Sequence, residues 1–100
     1  MSNFADQQTE IRIRNREDYR ETYSNSVQVR MSVWDFFLAF GMATPGSGPG
    51  IDLINFQGIY LSPQQAKALA LMLQQNVANY EQTFGEIKID PKYAQSGPIH

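Results

Sequence analysis

The sequence predicts an α+β domain in which an antiparallel meander of three strands is followed by one long C-terminal helix. Residues 62–85, SPQQAKALALMLQQNVANYEQTFG, place apolar side chains at three- and four-residue steps, which is the period of an amphipathic helix. Upstream, several segments alternate apolar and polar residues in steps of two, as half-buried strands do. A helix that follows a run of strands packs on one face of their sheet, so two layers are expected.

The strands are predicted from this alternation, and five segments show it. The three segments that form the meander are residues 27–31, 36–42 and 51–61. Two shorter segments, residues 11–16 (IRIRNR) and 86–90 (EIKID), show the same period, so the sheet is expected to have three strands and at most four to five.

The connections between the strands contain turn-forming residues. Ser32 and Val33 are predicted to begin a tight turn, although a helix that starts at Ser32 is the alternative for this aromatic-rich stretch. Residues 44–50, TPGSGPG, are predicted to form a hairpin loop. Gly58 interrupts the third strand and predicts either a bulge or a close approach of another group.

The helix has start and stop signals in its sequence. Ser62 is predicted to accept from the free amides of the first turn, and Pro63 suits the first helical position. Gln65 stands where a capping box needs it, and Gly85 is expected to form a left-handed C-terminal cap. The resulting rod is about 30 Å long, which exceeds what a small sheet needs.

The composition indicates one domain over residues 11–90, with a disordered arm over residues 1–10 and a flexible tail over residues 91–100. A chain of this size has little core, so we expect a homodimer. There is no cysteine and the net charge is −2. With no apolar run near the ~20 residues of a membrane span, the expectation is a cytoplasmic protein without a membrane partner.

Four stretches of the chain resemble a family of small bacterial and archaeal proteins known as domain of unknown function 3467. The matching stretches are Tyr23-Ser24-Asn25, Asp35-Phe36 with Leu38 and Phe40, residues 61–67 (LSPQQAK) and residues 79–87 (NYEQTFGEI). The chain differs from the family pattern in the glycine- and proline-rich loop at residues 44–50. Because the family has no assigned activity, the resemblance implies the fold and its boundaries only.

A local likeness points to a second group of proteins. Residues 58–65, GIYLSPQQ, are similar to the strand-to-helix junction of single-stranded-DNA-binding transcriptional coactivators of the positive-cofactor-four type. Those proteins are dimers with a curved antiparallel sheet followed by a helix, so the likeness implies a nucleic-acid-binding sheet.

No catalytic, cofactor or metal site is predicted. The single histidine is His100, the last residue, where a catalytic base or metal ligand has no partners nearby. The acidic residues are interleaved with arginines, as on a solvated surface. The glycines of residues 44–50 lead into a strand and not into a helix N-terminus, which argues against a phosphate loop. The sequence therefore predicts no enzyme.

Arginines and aromatic residues form the one constellation with a binding chemistry. Its members are Arg12, Arg14, Arg16, Arg30, Phe37, Phe56 and Tyr60. On one sheet face they would bind single-stranded nucleic acid, because arginines neutralise phosphates and aromatic rings stack on bases. The alternative is that the aromatic residues form a dimer core while the arginines pair with neighbouring acids. Given the negative net charge, we expect a homodimeric binding module for a protein partner, with the nucleic-acid binder as the second hypothesis.

Overall fold

The computed structural model describes residues 9–89, and it contains a three-stranded sheet and one helix. The elements are β1 (Ser26–Met31), β2 (Phe36–Pro45), β3 (Ile51–Leu61) and α1 (Pro63–Phe84). The strands lie in the order β1-β2-β3, and both neighbouring pairs are antiparallel. The predicted α+β meander with a C-terminal helix is confirmed.

The two additional strands predicted at the ends are absent from the described residues. Residues 11–16 are irregular, and the sheet does not extend to them. Residues 86–89 are irregular as well, and the Ile87 amide donates to the Glu81 carboxylate at 3.0 Å instead of to a strand. The predicted arm over residues 1–10, apart from Thr9 and Glu10, and the predicted tail over residues 91–100 lie outside the described residues.

Both hairpin connections are turns, so the helix considered from Ser32 onward is wrong. The Ser32 amide donates to the Asp35 carbonyl oxygen at 2.8 Å, and the Ser32 hydroxyl accepts from the Trp34 and Asp35 amides. The hydroxyl thus provides the acceptor that a helical carbonyl would otherwise supply. The second loop is shorter than predicted, because β2 continues through Pro45 and only residues 46–50 connect it to β3.

A β-bulge in β3 determines which side chains share a face. Phe40 is paired with Gln57 and the next residue, Gly41, with Asn55, so Phe56 is the extra residue. The sequence alternation groups Phe56 with Tyr60, but the bulge turns Phe56 toward the face that carries Phe40. The prediction that both aromatic residues lie on one face is therefore wrong.

The two faces of the sheet differ in what they carry. The helix face holds Val29, Phe36, Leu38 and Leu61, which line an apolar cleft against α1. The open face, on the other side, holds Arg30, Phe37 and Tyr60, which are neighbours across the three strands.

The helix begins where the sequence predicts it. Ser62 has extended backbone angles, φ −63° and ψ 157°, and its hydroxyl accepts from the Gln65 amide at 3.1 Å. The reciprocal bond of a capping box, from the Ser62 amide to the Gln65 side chain, is not among the hydrogen bonds of residues 9–89. Gly85 has a positive φ of 112°, but its ψ of 170° is not that of the predicted left-handed cap, although its amide still donates to the Glu81 carbonyl.

The chain covers little of its own apolar surface. Among the described residues, Ala39 is the only buried apolar one, with 7% of its surface exposed, and α1 has no buried residue. The radius of gyration is 17.7 Å, whereas a compact domain of this length has about 13 Å. Sheet and helix are thus well formed as elements but share almost no core.

Candidate interaction surfaces

A row of three side chains crosses the open face at one rung of the sheet. Arg30 is paired with Phe37, and Phe37 is paired with Tyr60. The Arg30 guanidinium lies 4.6 Å from the centre of the Phe37 ring, a cation–π geometry. The rings of Phe37 and Tyr60 are 4.7 Å apart and tilted by 47°. This aromatic row is therefore preorganised by strand register.

The Phe37 ring lies directly over a glycine of β3. A Cβ atom added to Gly58 would come within 2.7 Å of two ring carbons of Phe37, which is closer than two non-bonded carbon atoms approach each other. The sequence predicts a bulge or a close approach at Gly58, and the structure shows the close approach. The glycine is the reason that the ring can lie flat enough to touch both Arg30 and Tyr60.

Two amide side chains extend the open face beyond the aromatic row. The Asn55 side-chain nitrogen donates to the Gln28 side-chain oxygen at 3.3 Å, and the small side chain of Ala39 lies between them. A cavity of about 210 Å³ is lined by these residues together with Arg30 and Phe37. Sequence reasoning missed this polar floor, although the alternation in β1 places Gln28 on the same face as Arg30.

Trp34 is a further exposed side chain at the same end of the sheet. It occupies the tip of the β1–β2 turn and exposes 80% of its surface. The turn that presents it is held by the Ser32 hydroxyl, which accepts from the Trp34 amide at 3.0 Å. The sequence-based prediction did not include Trp34. Its exposure could have been expected, because it lies in a four-residue turn that follows a strand of alternating polar and apolar residues. The tryptophan thus lies in the turn between Arg30 of β1 and Phe37 of β2, next to the aromatic row in sequence.

A groove lies on the other side of the sheet. Its volume is about 1130 Å³, and it runs between the segment 14–24 and the sheet residues Phe40, Phe56, Gln57 and Ile59. The segment is held at its C-terminal end by Ser24, whose hydroxyl accepts from the Gly41 amide at 3.1 Å. We call this feature the segment groove.

Asn25 completes the attachment of the segment. Its side-chain oxygen accepts from the Ala43 amide at 2.7 Å, and its side-chain nitrogen lies 3.4 Å from the Ala43 carbonyl oxygen. The amide group thus pairs with β2 as a strand backbone would. This interaction gives a structural role to Ser24 and Asn25, two residues of one of the stretches that resemble the family.

Two of the four arginines between residues 12 and 20 form ion pairs with acids close to them in sequence. Arg12 pairs with Glu10 at 2.6 Å, and Arg16 pairs with Asp18 at 2.7 Å. The hydrogen bond from Arg16 holds the pKa of the Asp18 carboxyl below its ordinary value, and the carboxylate raises the pKa of Arg16. These pairs partly cancel the positive charge that the sequence places here.

The predicted constellation is divided between the two faces. Arg30, Phe37 and Tyr60 come together on the open face. Arg14 and Arg16 line the segment groove with Phe56 on the other side of the sheet, while Arg12 does not line it. The chain therefore offers two separate surfaces instead of one arginine-and-aromatic platform.

The potential metal ligands of the described residues are dispersed. Within residues 9–89, no three histidine, cysteine or acidic residues lie close enough to hold a metal ion together. His100, the single histidine, lies outside that range. Over the same part of the chain, no helix has both the length and the apolar character that crossing a membrane requires.

Comparison with known proteins identifies the family. Neither the curated proteins nor the solved structures contain a significant match to the chain, so the local likeness to the single-stranded-DNA-binding coactivators has no counterpart there. One family model, described as Protein of unknown function (DUF3467), matches residues 1–89. The match includes all three strands and the helix, together with both surfaces described above. The chain therefore belongs to the DUF3467 family.

Proposed function

We propose that this protein is a non-enzymatic, homo-oligomeric binding module that presents the open face of its sheet to a protein partner, with the cytoplasm as its expected compartment. The observation that carries the proposal is the exposure of most apolar side chains of β3 and α1, while those of β2 are half-buried and Ala39 alone is buried among the apolar residues that the structure describes. Apolar surface on this scale marks an interaction site.

The two faces suit two different kinds of contact. The helix face and α1 are apolar and continuous with each other, which favours association between copies. The open face instead combines Arg30 and Tyr60, on either side of Phe37, and Arg and Tyr are among the residue types that dominate the binding energy of protein interfaces. Trp34, in the turn between β1 and β2, is a third such residue type and is 80% exposed. A homo-oligomer built on the helix face leaves the open face free for a partner.

The second hypothesis is a single-stranded nucleic-acid binder. The aromatic row favours it, because two rings and a guanidinium on one open sheet face are a stacking platform for bases. Phosphate binding has less support, because Arg14 and Arg16 lie on the other side of the sheet and Arg12 and Arg16 pair with acids. The net charge of −2 also disfavours binding to a polyanion.

Co-purification of the tagged protein, with and without nuclease treatment, tests the proposal. We expect a protein partner that survives nuclease and binds the purified wild type saturably. Tyr60→Ala should weaken that binding, whereas Tyr23→Ala should leave it unchanged because this exposed tyrosine lies outside the sheet. A partner that is lost with nuclease, together with saturable binding of a labelled oligonucleotide of about twenty bases that Tyr60→Ala abolishes, would favour the second hypothesis.

A further inference from the structure

The C-terminal half of α1 packs against no other element within residues 9–89. The apolar cleft between α1 and the sheet ends at Leu73, and every helix residue from Ala70 to Tyr80 is exposed. Beyond the cleft, the apolar stripe continues with Val77, Tyr80 and Phe84. The rings of Tyr80 and Phe84 contact each other, with their centres 4.9 Å apart. Phe84 is 73% exposed. This half of the helix needs a cover that its own sheet does not provide.

We propose that the C-terminal half of α1 docks into the segment groove of a second copy of this chain, and that the exchange is reciprocal. The proposal rests on the homo-oligomer of the proposed function and specifies how its interface is built. The occupant is a second copy because the size, the apolar lining and the charge of the groove all match this helix.

The dimensions agree. A helix with side chains is about 10 Å across and rises about 1.5 Å per residue, so a groove of about 1130 Å³ holds roughly nine helical residues. Residues 77–84 of α1 span roughly 12 Å on the same scale. The segment 14–24 on one side and the sheet on the other form the two walls of the groove.

The apolar area is sufficient for a specific dimer. Val77, Tyr80 and Phe84 on the helix would meet Phe40, Phe56 and Ile59 in the groove, and all six side chains are half-exposed or exposed in the single chain. Each of the six side chains would bury on the order of 100 Å² of accessible surface, which gives about 600 Å² per chain. The reciprocal exchange doubles this to about 1200 Å², the lower end of stable interfaces.

The charges are complementary as well. The C-terminal end of a helix carries partial negative charge, and the last turn of α1 has no basic residue to offset it. Three arginines and two acids of the described residues line the segment groove: Asp18 pairs with Arg16, and Glu21 accepts from the Tyr19 hydroxyl. The other two arginines, Arg14 and Arg20, form no ion pair within residues 9–89, so the groove keeps an excess of positive charge. In the docked arrangement these arginines would lie at the partner's helix end, near Glu81, where cations are stabilising.

Cross-linking between two different copies tests the docked arrangement of helix and groove. The chain has no cysteine of its own, so only the introduced cysteines can react. Ile59→Cys in one tagged copy and Val77→Cys in a second, differently tagged copy are mixed and treated with a short bis-maleimide. We expect a cross-link between the two tags. Met72→Cys replaces Val77→Cys in the control, because it lies about 140° around the helix from Val77 and should not react with Ile59→Cys.

The outcomes separate this inference from the proposed function. A monomer in light scattering would overturn both, whereas a dimer that gives no Ile59-to-Val77 cross-link, or cross-links equally through Met72, would overturn only the helix exchange. Neutralising both arginines with Arg14→Gln and Arg20→Gln removes two favourable charges at each of the two reciprocal sites, so it should raise the dimer dissociation constant roughly 8- to 900-fold. Arg12→Gln, outside the groove, should leave it unchanged, and an equal effect of both changes would contradict the charge argument.

Discussion

Gly58→Ala is expected to destabilise the protein, although alanine is ordinarily more favourable than glycine within a strand. A methyl group at this position would lie 2.7 Å from two carbons of the Phe37 ring, so the ring must retreat by about 1 Å to reach ordinary contact. That movement breaks the stacking of the ring with Arg30 and Tyr60. In the wild type, the centre of the Phe37 ring lies 4.6 Å from the Arg30 guanidinium and 4.7 Å from the centre of the Tyr60 ring. Overpacking of this kind costs about 1–3 kcal/mol, against a gain of about 0.5–1 kcal/mol from removing a glycine.

Urea denaturation measures the effect, with two comparisons. Gly48→Ala is the matched control, because a Cβ there meets nothing within 4 Å, and it should be neutral or slightly stabilising. Phe37→Leu removes the ring, so adding Gly58→Ala to that variant should cost less than adding it to the wild type. A Gly58→Ala protein as stable as the wild type would refute the close-approach argument.

The remaining predictions concern the helix cap, the segment attachment and the surface ion pair. Ser62→Ala should cost about 1 kcal/mol of unfolding free energy because the Gln65 amide loses its acceptor, and an unchanged denaturation midpoint would contradict this. Asn25→Ala should cost about 1–3 kcal/mol because it removes two bonds to Ala43, and it should increase proteolysis near residue 20 first. Arg16→Gln should raise the pKa of Asp18, measured by NMR titration, toward its ordinary value. Because that pKa is lowered in the folded state, the pair stabilises above the unfolded pKa and its contribution is lost as the pH falls through the folded one.

Local signals made the helix and the three strands predictable. Pro63 after Ser62 fixed the helix start, and the alternation in β1 and β3 gave the strands and their bounds to within a residue or two. These features depend on residues close in sequence, so no knowledge of the tertiary structure was needed.

Non-local features were not predictable. The alternation of Ile11 and Ile13 indicates which side chains would share a face, but a strand also needs a neighbouring strand, and none within residues 9–89 pairs with residues 11–16. One extra residue in the pairing moved Phe56 to the helix face, and only the register between β2 and β3 reveals it. The aromatic row was partly predictable, because Arg30, Phe37 and Tyr60 were recognised by residue type, but their adjacency required the register as well.

Residues 9–89 bury almost no core of their own, so the proposed homodimer would link the folding of this protein to its abundance. If copies complete one another's core, folding is a bimolecular equilibrium, and each tenfold dilution costs about 1.4 kcal/mol of the free energy that holds a dimer together. Its melting temperature would then rise with protein concentration, as it does not for a monomeric domain. In a cell, newly made chains below the threshold concentration would stay incomplete and open to proteases, whereas those above it would persist, so the rate of synthesis would determine how much functional protein exists.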